Sequence, residues 1–172
     1  FQFHEKHQTV IHTSHPENIL PLIANFDIRQ DAVIRRLMSL RQIPKKLLRN
    51  KQAGSMSNFG LHSFTLLTQS ASEICYGLRG QFWRTDFNLE NMPDASAFQT
   101  PVAAGKAKLL LRYQVTERAP GQHELSTETF VYCSDRSTQL KMTAYWLVIR
   151  AGSGWIRKRT LKAVKSNIEG LE

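Results

Sequence analysis

The chain has 172 residues, 41% hydrophobic and 22% charged, enough for one domain able to bury roughly 70% of the surface its unfolded form exposes. That balance excludes a disordered chain, which is poorer in apolar residues. No apolar run approaches the roughly 20 residues of a membrane-spanning helix, and the excess of 23 Lys and Arg over 14 Asp and Glu, a net charge of +9, favours phosphates, anionic head groups or acidic proteins as partners unless it is a solvated face.

Phe1 to His7 is polar, without a signal-peptide core, and the expectation is a soluble, cytoplasmic protein. From His4 to Thr13 a polar pattern that gains Val10 and Ile11 predicts a first strand, buried near its end. Ser14 then caps a helix that has Pro16 and Glu17 in its first turn and Ile19, Leu20, Leu22 and Ile23 on its apolar side, with Pro21 keeping it short. A second helix starts at Asp31, buries Val33, Ile34, Leu37, Met38 and Leu40, and ends before Pro44. Residues 45–60 mix Lys, Arg, Gly and Ser without periodicity and read as a mobile loop.

The period then changes to 2. Phe64, Leu66 and Thr68, and then Ile74, Tyr76 and Leu78, alternate with their neighbours and predict two antiparallel strands joined at Gln69 to Ser72. A shorter strand at Gln81 to Arg84 and an irregular stretch with Pro93 and Pro101 lead to Lys106, where Ala107, Leu109, Leu111, Tyr113 and Val115 mark a half-buried strand. Ala119-Pro120-Gly121 turns the chain into a last strand, Glu124 to Cys133. Cys75 and Cys133 lie in these strands and are expected reduced and buried, a disulfide between neighbouring strands being the alternative. Ser134 or Asp135 caps a long C-terminal helix with Leu140, Ala144, Leu147 and Val148 on one side, and Gly152-Ser153-Gly154 is expected to kink or interrupt it. Its basic continuation opposes Ile156, Leu161, Val164 and Ile168 to Arg157, Lys158, Arg159, Lys162 and Lys165.

Strand, two short helices, a run of antiparallel strands and a long helix define an α+β domain spanning residues 1–172. This layout, with Glu73-Ile-Cys-Tyr-Gly77, Phe82-Trp83, Leu125-Ser-Thr-Glu-Thr129, Tyr145-Trp146, Ile149-Arg-Ala-Gly-Ser-Gly154 and Ile156-Arg157, resembles the START-like or Bet v 1-like superfamily, and within it a group of uncharacterised bacterial proteins. The resemblance implies a helix-grip fold, in which a curved antiparallel sheet wraps a long kinked C-terminal helix around an internal cavity. It implies binding of lipids, sterols or polyketides, with cyclisation in some members, and no single activity.

On that basis Glu73, Tyr76, Trp83, Tyr113, Glu128, Tyr145, Trp146 and Arg150 are the candidate cavity residues. Glu128 leads, because a carboxylate between the last strand and a helix carrying Arg150 and Arg157 needs a partner. It is either a structural ion pair or, like Glu73, a general base with a raised pKa. His4, His7, His12 and His15 have steps that point to opposite faces of a strand, so no metal site or cofactor is expected. No phosphate-cradling loop and no Gly-x-Ser-x-Gly elbow is present. The leading expectation is a carrier enclosing a small apolar or amphipathic molecule. The alternatives are a cyclase or aromatase-like enzyme with a cavity carboxylate as base, and a surface module whose basic Trp155 to Lys165 segment meets anionic lipid or nucleic acid.

Overall fold

The computed structural model describes residues 1–25, 63–84 and 86–170, and the helix expected from Asp31 and the loop expected at 45–60 lie outside the described residues. Among the described residues five antiparallel strands form one sheet in the order β1-β5-β4-β3-β2, with β1 at Phe3–His12, β2 at Thr65–Gln69, β3 at Glu73–Gly80, β4 at Ala107–Ala119 and β5 at Gln122–Cys133. A helix, α1, occupies Ile19–Ala24 after a 3-10 turn at Pro16–Asn18. A second, α2, occupies Ala95–Gln99, and the last, α3, runs through Arg136–Glu169. The protein is therefore α+β, with a helix lying on one face of an antiparallel sheet. Among the described residues no helix is long and apolar enough to cross a membrane.

Local chemistry explains the turns. Ser70 Oγ accepts from the Glu73 amide at 3.0 Å and closes the β2–β3 hairpin. Pro120-Gly121 joins β4 to β5, and Gly121 takes a φ of 71°, a left-handed conformation that glycine adopts without strain. Residues 81–84 form a turn instead of the expected strand, closed by Arg84 N donating to Gln81 O at 2.8 Å. Ala95–Gln99, within the stretch expected to be irregular, is helical, and Asp94 caps it by accepting from the Ala97 amide at 3.0 Å.

Register assigns every strand residue to a face. Ile11, Leu125, Leu111, Tyr113, Ile74 and Tyr76 point to the side that holds α1 and the second half of α3, where Leu161, Val164 and Ile168 complete a buried cluster. Leu78, Ala107, Val131 and Cys133 continue this inner face toward Met142 in the first half of α3. The opposite, outer face carries Glu73, Cys75, Arg79, Lys108, Arg112, Glu128, His4 and Lys6.

Two expectations for α3 are overturned. The helix continues unbroken through Gly152-Ser153-Gly154 for 34 residues. The reason for Gly154 is proximity to the sheet: a Cβ there would stand 2.9 Å from Glu5 Oε1 and 3.3 Å from the His7 ring. The packing faces are also exchanged. Thr138 and Met142 are buried, with Tyr145 and Trp146 packed beside them, whereas Leu140 is 73%, Leu147 71% and Val148 81% exposed. Both rows repeat at helical spacing, so periodicity alone could not choose between them. The helix start decides: Asp135, anchored by Gly105 N at 2.8 Å, also caps Thr138 N at 2.8 Å and turns the Thr138-Met142 row to the sheet.

Candidate functional site

The middle of the inner face is polar. Cross-strand pairing sets Tyr113, Thr127 and His7 in one row over β4, β5 and β1, and Leu111, Thr129 and Glu5 in the next. Above them α3 makes its close approach at Gly154, and Arg157, three residues on and on the same helix face, lies near Glu5 and Tyr113. Apolar side chains surround this patch: Ile74 beside Tyr113 on β3, Leu125 toward one end of the sheet, and Leu109 and Val131 toward the other.

Few of these polar groups satisfy one another. His7 Nε2 donates to Glu5 Oε1 at 2.7 Å, with both side chains largely buried. Glu5 Oε2, Thr129 Oγ1 and Arg157 Nη1 are sealed from solvent and have no hydrogen-bond partner. Arg157 is partly buried as a residue, and it forms no ion pair among the described residues. Burial pushes its guanidinium pKa down, against the opposing influence of Tyr113 and Glu5. Burial likewise pushes the Tyr113 phenol up, opposed by Arg157 and Thr127.

The sequence-derived candidates divide between the two faces. Tyr76 and Tyr113 are buried on the inner face. Trp83, Tyr145 and Trp146 are half-buried beside Met142 and Val131, with the Trp146 ring 5.6 Å from that of Phe3. Glu128 and Glu73 lie on the outer face and do not line the side that meets the helix. Arg112 donates to Glu128 Oε1 at 2.9 Å, His4 donates to Glu128 Oε2 at 2.9 Å, Lys6 Nζ stands 3.8 Å from Oε1, and Glu73 Oε2 is 3.5 Å from Arg112 Nη1. Burial raises the Glu128 carboxyl, but the bonds from Arg112 and His4 outweigh it, and its pKa is lowered. That is the reverse of what a general base with a raised pKa requires. Arg150 is exposed and is not the partner of Glu128.

Comparison with protein-family models, with curated proteins and with solved structures finds no match. The inner polar patch therefore stands on its own geometry.

Glu5, His7, Thr127, Thr129 and Arg157 are the residues that sequence reasoning left out of the site. A signal for the threonines was present: Leu125 and Val131 are two-residue steps from Thr127 and Thr129, so any register that buries the former buries the latter and turns Glu128 away. Arg157 had a weaker one, being spaced from Leu161, Val164 and Ile168 at helical intervals.

Proposed function

We propose that this chain is a carrier or sensor of the START-like kind that takes a small apolar or amphipathic molecule between the inner face of its sheet and α3. One observation carries the proposal. Three side-chain atoms from Glu5, Thr129 and Arg157 are sealed without partners in the middle of an otherwise apolar face, although buried polar atoms in folded proteins are nearly always bonded. Such groups cost about 1–3 kcal/mol each when unmet, and a ligand with a polar end would meet several together. The order of elements and the long helix laid on an antiparallel sheet are compatible with a helix-grip fold. Native mass spectrometry of the freshly purified protein tests the role: a small molecule released on unfolding is the expected result. Finding none, together with no binding of a fluorescent apolar probe such as an anilinonaphthalene sulfonate, would overturn it.

A second reading, docking on an anionic lipid surface, is favoured by the exposed row Leu140, Leu147, Val148 and Trp155 on α3. Basic residues flank the row, and the Arg159 guanidinium stands 5.4 Å from the Trp155 ring centroid. Co-sedimentation with phosphatidylserine vesicles that is lost at high salt supports it, and equal binding to phosphatidylcholine vesicles overturns it. Cyclase-type catalysis through Glu73 or Glu128 finds no support in their position or pairing.

A further inference from the structure

We infer that the molecule bound between sheet and helix is a monocarboxylic amphiphile, whose carboxylate seats on Arg157 while its apolar body lies along the inner face. This rests on the carrier role proposed above and names its ligand class. Arginine keeps its charge at any physiological pH and offers a planar fork that matches a carboxylate. Nη1 of Arg157 is sealed from solvent without a partner, in a setting where a buried guanidinium normally finds an anion.

The protein's nearby carboxylate is not that anion. Oε1 of Glu5 is held by His7 at 2.7 Å, and neither Glu5 oxygen forms an ion pair with Arg157 among the described residues. The rest of the lining consists of neutral donors: the Tyr113 phenol and the hydroxyls of Thr127 and Thr129, the last of them unbonded. Hydroxyls and a guanidinium together form a seat for an oxyanion. Oε2 of Glu5, also without a partner, limits that seat to one negative charge, because a dianion would be repelled by the second carboxylate oxygen. Ile74, Leu125, Leu109 and Val131 flank the patch, so the anion needs an apolar body to replace the contacts it displaces.

Isothermal titration of the delipidated full chain with dodecanoate, dodecanol and dodecyl phosphate tests this. The phosphate is used well above its second pKa of about 6, where it is a dianion. Dodecanoate is expected to bind at one site, about 10- to 100-fold more tightly than dodecanol, as a charge-assisted bond predicts, and more tightly than dodecyl phosphate. Arg157→Leu should abolish that preference, dodecanoate losing far more affinity than dodecanol, and Arg157→Lys, which keeps the charge without the fork, should retain part of it. Equal binding of acid and alcohol overturns the ligand class and leaves the carrier role standing. Phosphate bound as tightly as carboxylate overturns the limit set by Glu5. Dodecanoate binding that survives Arg157→Leu unchanged is attraction to the basic surface and overturns the seat. If none of the three amphiphiles binds, the carrier role fails with it. Should Arg157→Leu not fold, the wild-type comparison of acid with alcohol and Arg157→Lys decide the same question.

Discussion

Gly152 and Gly154 sit two residues apart, about half a turn, in the same helix, yet alanine should act on them differently. Glycine inside a helix costs about 1 kcal/mol relative to alanine, so each replacement begins with the same gain. At Gly152 nothing stands within 4 Å of the added Cβ, and Gly152→Ala should keep that gain, raising the melting temperature by about 2–4 °C for a chain of this size. At Gly154 the new methyl meets Glu5 Oε1 at 2.9 Å and the His7 ring at 3.3 Å. Both groups are tied to each other and largely buried, so neither moves freely, and overpacking of this kind costs about 1–3 kcal/mol. Gly154→Ala is therefore expected to be neutral to destabilising by about 2 kcal/mol, the propensity gain being offset by the clash. Urea unfolding followed by circular dichroism gives both values, and their difference isolates the steric part because the propensity part cancels. In a Glu5→Ala background the cost at Gly154 should fall, which a double-mutant cycle reads directly. Equal stabilisation by the two alanines, within about 0.5 kcal/mol, would refute the close approach of helix to sheet.

Three further outcomes follow from the charges and thiols. Bonds from the Gly105 and Thr138 amides, then from Ser134 and Thr138, hold the Asp135 carboxyl well below its usual range. Its contribution is thus complete above the unfolded pKa of about 4 and is lost as pH falls through the folded value, so Asp135→Asn should flatten the acid limb of a stability–pH profile measured by chemical denaturation. Glu128 is lowered in the same sense. Glu128→Leu strands Arg112, whose Nε already has no partner, and should cost about 2–4 kcal/mol in urea unfolding while leaving amphiphile binding on the opposite face unchanged. Burial pushes the Cys75 and Cys133 thiols up to about 11, and both are free. Neither should react with a disulfide reagent in the folded protein at about pH 8, and both should react once it is unfolded.

How far the sequence reaches can be seen in β5. The alternation Leu125-Ser-Thr-Glu-Thr-Phe-Val131 states that two sets of residues face opposite ways, and the observed register obeys it. What the alternation does not state is which set meets the helix, unless apolar residues at its ends are used to vote for the middle. The charge of Glu128 suggests a partner on the helix, whereas Leu125 and Val131 turn it to the outer face beside Arg112. In α3 the ambiguity is real, because Leu140, Ala144, Leu147 and Val148 form as regular a row as Thr138, Met142, Tyr145 and Ile149. The anchoring of Asp135 to Gly105, a contact across 30 residues, helps to select between them, and the row itself does not encode it. Gly154 shows the same limit from the other side. Two glycines in a helical stretch signal weakness by propensity, whereas the use of Gly154 depends on a strand more than a hundred residues earlier.

That use links the glycine to the proposed seat. Gly154 and Arg157 are three residues apart, hence on one face and about 4.5 Å apart along the axis. A helix held away from β1 by a side chain at 154 would carry the Arg157 guanidinium away from Glu5 and Tyr113, the groups that now sense its charge. The bare backbone at Gly154 is therefore a condition for the buried cation as well as a packing device. If so, Gly154→Ala should lower the affinity for dodecanoate more than that for dodecanol, since only the acid depends on where the guanidinium stands. Gly152→Ala, which gains stability without moving the helix toward or away from the sheet, should alter neither. A loss shared equally by acid and alcohol would mean that the methyl merely obstructs the inner face, and the coupling between close approach and charge placement would have to be abandoned.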